Sequence, residues 1–297
     1  MIQLEINLTD TKNVTNLIAA LNPLFEYENE DLEVKVGVSR YNDLMQAVLA
    51  VSAINFAKLH NKDVQIKYAY THQYLQRMNF YSALGLNLSE DFARHQAADR
   101  LQEICNLTSK SSMIIVNNIL LIIKEQIKID KNLWGTLGYC FWEIVDNIQL
   151  HAESSIGGYT VVQYYPSKHI VEIDLVDAGC GILTSMRKNQ QFLTISEATA
   201  LELCIQEGIT DGDGCGNGLY HTTRFIKANK GNFYIYSGHH MLYIRNGKLS
   251  VKSVPFWHGT AIHIEIDTNS SVDLNMIFGN AIPTTVTEVN ECIKNLW

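Results

Sequence analysis

Glu143, Asn147 and His151 recur at intervals of four in the run Glu143-Ile-Val-Asp-Asn147-Ile-Gln-Leu-His151-Ala. On a helix that spacing stacks a carboxylate, a carboxamide and an imidazole on one face. Such a stripe can serve a metal-bound phosphate and the water that attacks it. It can equally be a polar face turned to solvent. Leu137, Phe141, Ile144, Val145 and Ile148 supply an apolar packing surface beside it.

Three further stretches carry chemistry. Asp174-Leu-Val-Asp177-Ala-Gly179-Cys-Gly181-Ile182 runs from a strand straight into D-x-G-x-G, where glycine lets the chain turn sharply and lets a flat ligand approach the backbone. Glu207-Gly-Ile-Thr-Asp-Gly212-Asp-Gly214-Cys-Gly216-Asn217-Gly218-Leu219 alternates glycine just ahead of a helix. The free N–H groups and dipole of a helix N-terminus favour an anion there. This is no Walker A loop, because no Gly-Lys-Ser/Thr follows. Asp211 and Asp213 have calcium-loop spacing, yet Thr222 stands at the twelfth position, where that loop needs glutamate. The last stretch, Trp257-His-Gly259-Thr260, enters the final strand.

In order and spacing the four stretches resemble the GHKL ATP-binding superfamily: type II topoisomerases, MutL-type repair ATPases, sensor histidine kinases and anti-sigma-factor serine kinases. The signatures of that family are E-x-x-x-N, D-x-G-x-G, a glycine-rich lid-to-helix segment and a G-T entering a strand. All four occur in sequence across about residues 112 to 268. Glu143-x-x-x-Asn147-x-x-x-His151-Ala is closest to the anti-sigma kinase form of the first box, and Ala200-Leu-Glu-Leu-Cys-Ile-Gln-Glu-Gly-Ile-Thr210 resembles the family's lid.

The resemblance implies roles. Asn147 would hold Mg²⁺ against the phosphates of ATP, and Asp177 would accept a hydrogen bond from the adenine amino group. Gly179, Gly181 and Ile182 would shape the adenine pocket; Gly216, Asn217, Gly218 and Leu219 would close over the phosphates. Thr260 would support the Asp177 side through water, and His151 would either touch phosphate or cap and pack its helix. Glu143 would be the catalytic base. It would activate water in a hydrolase, or a protein hydroxyl in a serine kinase, since both need a base near the γ-phosphate.

The expected function is therefore an ATP-binding regulator that hydrolyses Mg-ATP, with lid closure coupled to docking of a partner or a second subunit. An anti-sigma-type serine/threonine protein kinase and a non-hydrolysing, nucleotide-gated binding module are the alternatives. An autophosphorylating histidine kinase is disfavoured. The helix from Ser111 to Ile127 holds no acceptor histidine, and His95 in Ala93-Arg-His-Gln-Ala lacks the following acidic residue.

The elements that must position these groups follow from periodicity. Leu32-Glu-Val-Lys-Val-Gly-Val and Val64-Gln-Ile-Lys-Tyr-Ala alternate as strands, while helical rhythms fill Asn42 to Leu59 and His72 to Leu84. Residues 111 to 126 and 132 to 151 read as two helices; 159 to 165 and 169 to 176 read as strands; 219 to 228 reads as a helix. Arg245-Asn-Gly-Lys marks a hairpin turn, Gly259 to Ile266 the last clear strand, and Thr285 to Leu296 a terminal helix. The expected fold class is α+β: a GHKL α/β sandwich over residues 106–268, with helices on one face of a mixed sheet, preceded by a small α/β domain over 1–105 and followed by an extension over 269–297. Tyr68 to Leu86, with its strand, helix and Leu-Gly-Leu exit, makes the first domain resemble a STAS domain. The phosphorylatable serine of such domains would fall at Ser39, whose neighbours Gly37-Val-Ser-Arg-Tyr-Asn lack the D-S-S/T-G pattern.

Charge narrows the partners. With 23 Lys+Arg against 31 Asp+Glu the net charge is -8, the wrong sign for a phosphate-tracking nucleic-acid groove. The most apolar run, Met113 to Ile123, is interrupted by Asn117 and Asn118 and is too short to span a bilayer. The N-terminus reads as a strand rather than a signal peptide. Six cysteines at 105, 140, 180, 204, 215 and 292 form no CxxC pair, which fits reduced thiols in a cytoplasmic protein.

Overall fold

The alternation around Val34 forms β2 (Asp31–Val38), which pairs in parallel with β1 (Ile2–Leu8) on one side and β3 (Asp63–Tyr68) on the other. In the computed structural model residues 1–9, 13–39, 43–97, 99–127, 131–209, 218–272 and 277 are described. Parallel neighbours need long crossovers. Helices α1 (Thr15–Leu21) and α2 (Pro23–Glu26) supply the first, and α3 (Leu44–His60) supplies the second. Asp43 caps α3, its side chain accepting from the Gln46 N–H at 3.2 Å.

Helix α3 is the pivot of the molecule. Every residue from Leu44 to Ile54 is buried. A helix that is apolar all round has to be covered all round. One side lies under the parallel sheet, and the other lies on strands of a second sheet. The single helix expected over 72 to 84 is instead two short ones, α4 (Gln73–Arg77) and α5 (Phe80–Ala83). The break is at Asn79, whose φ of 62° is left-handed, a conformation asparagine tolerates better than most residues.

The second sheet has five strands in the order β4 (Leu101–Leu107), β5 (Gly158–Tyr165), β6 (Ile170–Asp177), β8 (Lys248–Asp267) and β7 (Asn232–Arg245). Where a mixed sheet was expected, every pairing in it is antiparallel. Short connections explain this. A single turn at Pro166–Lys168 joins β5 to β6, and Asn246-Gly247, with φ of 52° and 72°, joins β7 to β8 as the hairpin signal implied. The final strand expected from Gly259 is the second half of the twenty-residue β8. Strand β4 straddles the 105/106 boundary read from the sequence.

One face of this sheet carries Val162, Val171, Ile173, Leu175, Ile235 and Ile264, among others. It packs under α6 (Ser112–Gln126), α7 (Lys131–Asp146) and α10 (Gly218–Asn229). The opposite face presents Val161, Val176, Tyr236 and Ala261 to α3 and its neighbours. Both faces of the sheet are therefore covered. The helix expected at 285 to 296 lies outside the described residues. Among those described, no helix is long and apolar enough to cross a membrane.

Candidate functional site

Strand β6 ends at Asp177, buried with 1% of its surface exposed. The chain then turns so tightly that Asp177 Oδ1 accepts from the Gly179 N–H at 2.9 Å and from the Thr260 N–H of β8 at 3.2 Å. The D-x-G-x-G and G-T stretches, eighty-odd residues apart, thus meet on one carboxylate oxygen. Thr260 supports Asp177 directly through its backbone N–H. Trp257, fully buried, donates from Nε1 to the Asp177 carbonyl at 3.2 Å. Among the described residues Oδ2 has no hydrogen-bond partner. Burial pushes the Asp177 carboxyl up to about 7, against the two backbone N–H groups that hold it down.

Glycines make this closeness possible. A Cβ at Gly179 would lie 2.0 Å from the Ala152 carbonyl oxygen, and one at Gly259, where φ is +104°, would lie 2.5 Å from the Asp177 carbonyl oxygen. No other residue fits at either position. Gly181, in turn, opens α8 (Gly181–Met186). Ser237 Oγ there accepts from the Ile182 N–H and donates to the Gly259 carbonyl, both at 2.9 Å, locking the turn to β7 and β8.

The Glu143–Asn147–His151 stripe ends in a π turn. Helix α7 stops at Asp146 and continues as a π turn over Asn147–His151, with the Ala152 N–H donating to the Asn147 carbonyl at 3.0 Å. An i→i+5 bond widens the turn by one residue. This end grips the glycine turn: Cys180 donates from its backbone N–H to the Ala152 carbonyl at 2.7 Å and from Sγ to the His151 carbonyl at 3.3 Å. Asn147 is exposed, and Glu143 is half-buried.

Glu143 faces the start of α10. A Cβ at Gly218 would sit 2.2 Å from the Glu143 Cβ and 3.4 Å from its Oε2. Leu219 is half-buried against the helix-side core. Burial raises the Glu143 carboxyl and Asp146 pushes it further, while the Tyr139 hydroxyl, donating to it, and His151 pull it down. Gly216 and Asn217 lie outside the described residues.

The structure therefore forms a connected chain: α10 against Glu143, α7 running into the π turn, the π turn bonded to the glycine turn, and that turn bonded through Asp177 to β8. A buried carboxylate with one free oxygen can accept from an amino donor, and an exposed carboxamide ahead of it can offer an oxygen to a cation. A half-buried carboxylate of raised pKa can take a proton. Sequence reasoning missed Tyr139 and Ser237. Tyr139 stands four residues before Glu143 and was legible on that spacing; Ser237 has no local signal, since only strand pairing brings it to the turn.

A separate pocket of about 340 Å³ opens beside the same turn. Gly179, Gly181 and Ile182 line it, but none of Glu143, Asn147, His151 or Asp177 does. It extends instead toward α9 (Glu197–Leu203) and the β7–β8 ribbon. Among the described residues no cluster of three or more histidine, cysteine or acidic groups has the geometry to hold a metal ion. The described cysteines, 105, 140, 180 and 204, are free thiols. Compared with known proteins, the chain matches no family model and no curated relative.

Proposed function

We propose that the five-stranded half of this protein binds Mg-ATP and hydrolyses it. The observation that carries the reading is Asp177. Its carboxylate is buried, one oxygen is held by two backbone N–H groups, and the other is free to accept from an adenine amino group. A guanine would present an oxygen there, and a site that leaves a buried acceptor facing an acceptor rejects that ligand strongly.

The residues present fit the group. Gly179 and Gly181 keep the turn free of side chains, and Gly218 begins a twelve-residue helix whose first N–H groups favour phosphate. Asn147 would hold Mg²⁺, which would supply charge neutralisation at the phosphates. Glu143 accepts the proton of the attacking water, its raised pKa bringing it nearer to neutral working pH. Tyr139, donating to that carboxylate, orients it for the transfer.

Phosphate release from Mg-ATP is the test, with wild type beside Glu143→Ala and nucleotide affinity measured on both. Wild type should turn over, and the variant should bind within a few-fold of wild type while losing about 100-fold or more in rate. Equal turnover in the variant removes Glu143 from the reaction. Binding without release in both proteins leaves transfer to a protein hydroxyl as the reading to assay, with labelled phosphate.

A further inference from the structure

We propose that Ser253, His240 and Glu197 form a nucleophilic triad that cleaves small, activated carboxylic esters, at a place on the β7–β8 ribbon apart from Asp177. His240 and Ser253 are direct cross-strand partners. Ser253 Oγ lies 3.4 Å from His240 Nε2, and His240 Nδ1 lies 2.9 Å from Glu197 Oε2. That is the order nucleophile, base, orienting acid by which such triads are recognised irrespective of fold, and the first of these contacts is commonly long without substrate.

Glu197 is held in place by several contacts. Glu197 opens α9 behind Ser196, whose Oγ accepts from the Thr199 N–H at 3.1 Å. The Glu197 carboxylate also accepts from the His239 N–H at 2.9 Å. Gly238 makes room for it: φ is +61°, and a Cβ there would lie 2.6 Å from Glu197 Oε1. Pairing runs Gly238 to Trp257 and then His240 to Ser253, so Val254, Pro255 and Phe256 stand opposite His239 alone. A bulge of this kind re-aims neighbouring side chains and is frequent beside active sites. Ser253 is exposed, as a nucleophile must be.

A pocket of about 340 Å³ adjoins the triad at Glu197, with Ile182, Leu183, Leu201 and Phe256 among its walls, and neither Ser253 nor His240 lines it. Ser253 therefore meets its substrate at the exposed surface of the ribbon, which suits a small, activated ester that needs no enclosing pocket. In the reaction Ser253 Oγ bonds to the ester carbonyl carbon while its proton passes to His240 Nε2. The carbon–oxygen bond to the alcohol then breaks, with His240 returning the proton to the departing oxygen. Water, deprotonated by His240, releases the acid and regenerates the serine.

The full chain would be treated with a fluorophosphonate probe and, separately, with p-nitrophenyl butyrate. One adduct mapping to Ser253 is expected, absent from Ser253→Ala, whose thermal midpoint should match wild type because the side chain is exposed. Glu197→Gln retains an acceptor for the His239 N–H but no longer holds the imidazolium. It and His240→Gln should each slow labelling and hydrolysis by about 100-fold or more. A wild-type chain that takes no label, label that persists in Ser253→Ala, or unchanged rates in both partner variants would overturn the triad.

Discussion

Asp177 shows how a single residue is made selective by what surrounds it. Two backbone N–H groups fix which oxygen faces inward. Asp177→Asn should therefore turn its carbonyl to those donors and its NH₂ to the ligand, setting donor against donor. ATP affinity should fall by roughly 10-fold or more while the fold survives, since the burial cost of a charge is removed. Titration calorimetry on the purified variant, with its melting curve as control, measures both. Undiminished affinity would mean that adenine is read elsewhere.

Among the elements, α7 and α10 matter most, because they set the depth of Glu143. They touch at a glycine: the 2.2 Å from a Gly218 Cβ to the Glu143 Cβ leaves no space for a methyl. Gly218→Ala should push the two helices apart at a cost of about 1–3 kcal/mol. It should also slow phosphate release more than it weakens nucleotide binding, because the displaced group is the base. A melting curve and a split between turnover and affinity check the two halves; a silent substitution would mean that α10 is free to shift.

The whole molecule is organised by the seam between its two halves. Strand alternation that sends Val171, Ile173 and Leu175 to the helices sends Glu172 and Asp174 to the other face, where they lie buried beside His263 and Glu265. His263 Nδ1 and Asp174 Oδ1 are 2.6 Å apart. Burial alone would push the imidazole down, but Asp174, followed by Glu265 and Glu172, holds it up at about 10. Asp43, capping α3 from the other half, is pushed up to about 7 by burial first and by Asp174 and Glu172 next, with His263 opposing. The folded chain thus holds the Asp43 proton more tightly than the unfolded chain does. Stability should fall as pH rises from about 4 to 7 and then level, by on the order of a few kcal/mol. The contribution of His263 is complete below the ordinary imidazole value and is lost only as pH climbs through about 10. Asp43→Asn keeps the cap and cannot ionise, so its melting temperature should decline less between pH 5 and 7.5 than that of wild type. Parallel curves would place the proton uptake on Asp177, which shares the window.

Periodicity was enough to locate β2, β3, α3 and the β7–β8 hairpin, because alternation and helical rhythm report the immediate surroundings of each residue. It could also place Glu143 on a helix and Asp177, Gly179 and Gly181 at a strand-ending turn, since sharp turns need particular residue types. Three things were decided only by tertiary contacts. The π turn over Asn147–His151 is bonded to a glycine turn about thirty residues away. The break at Asn79 divides a stretch whose apolar pattern reads as continuous. The sandwiching of α3 between two sheets reflects packing across the whole chain, and with it comes the burial that raises Asp43. Local pattern fixes which groups a segment carries; desolvation and cross-strand partners, which set what those groups can do, exist only once distant segments have met.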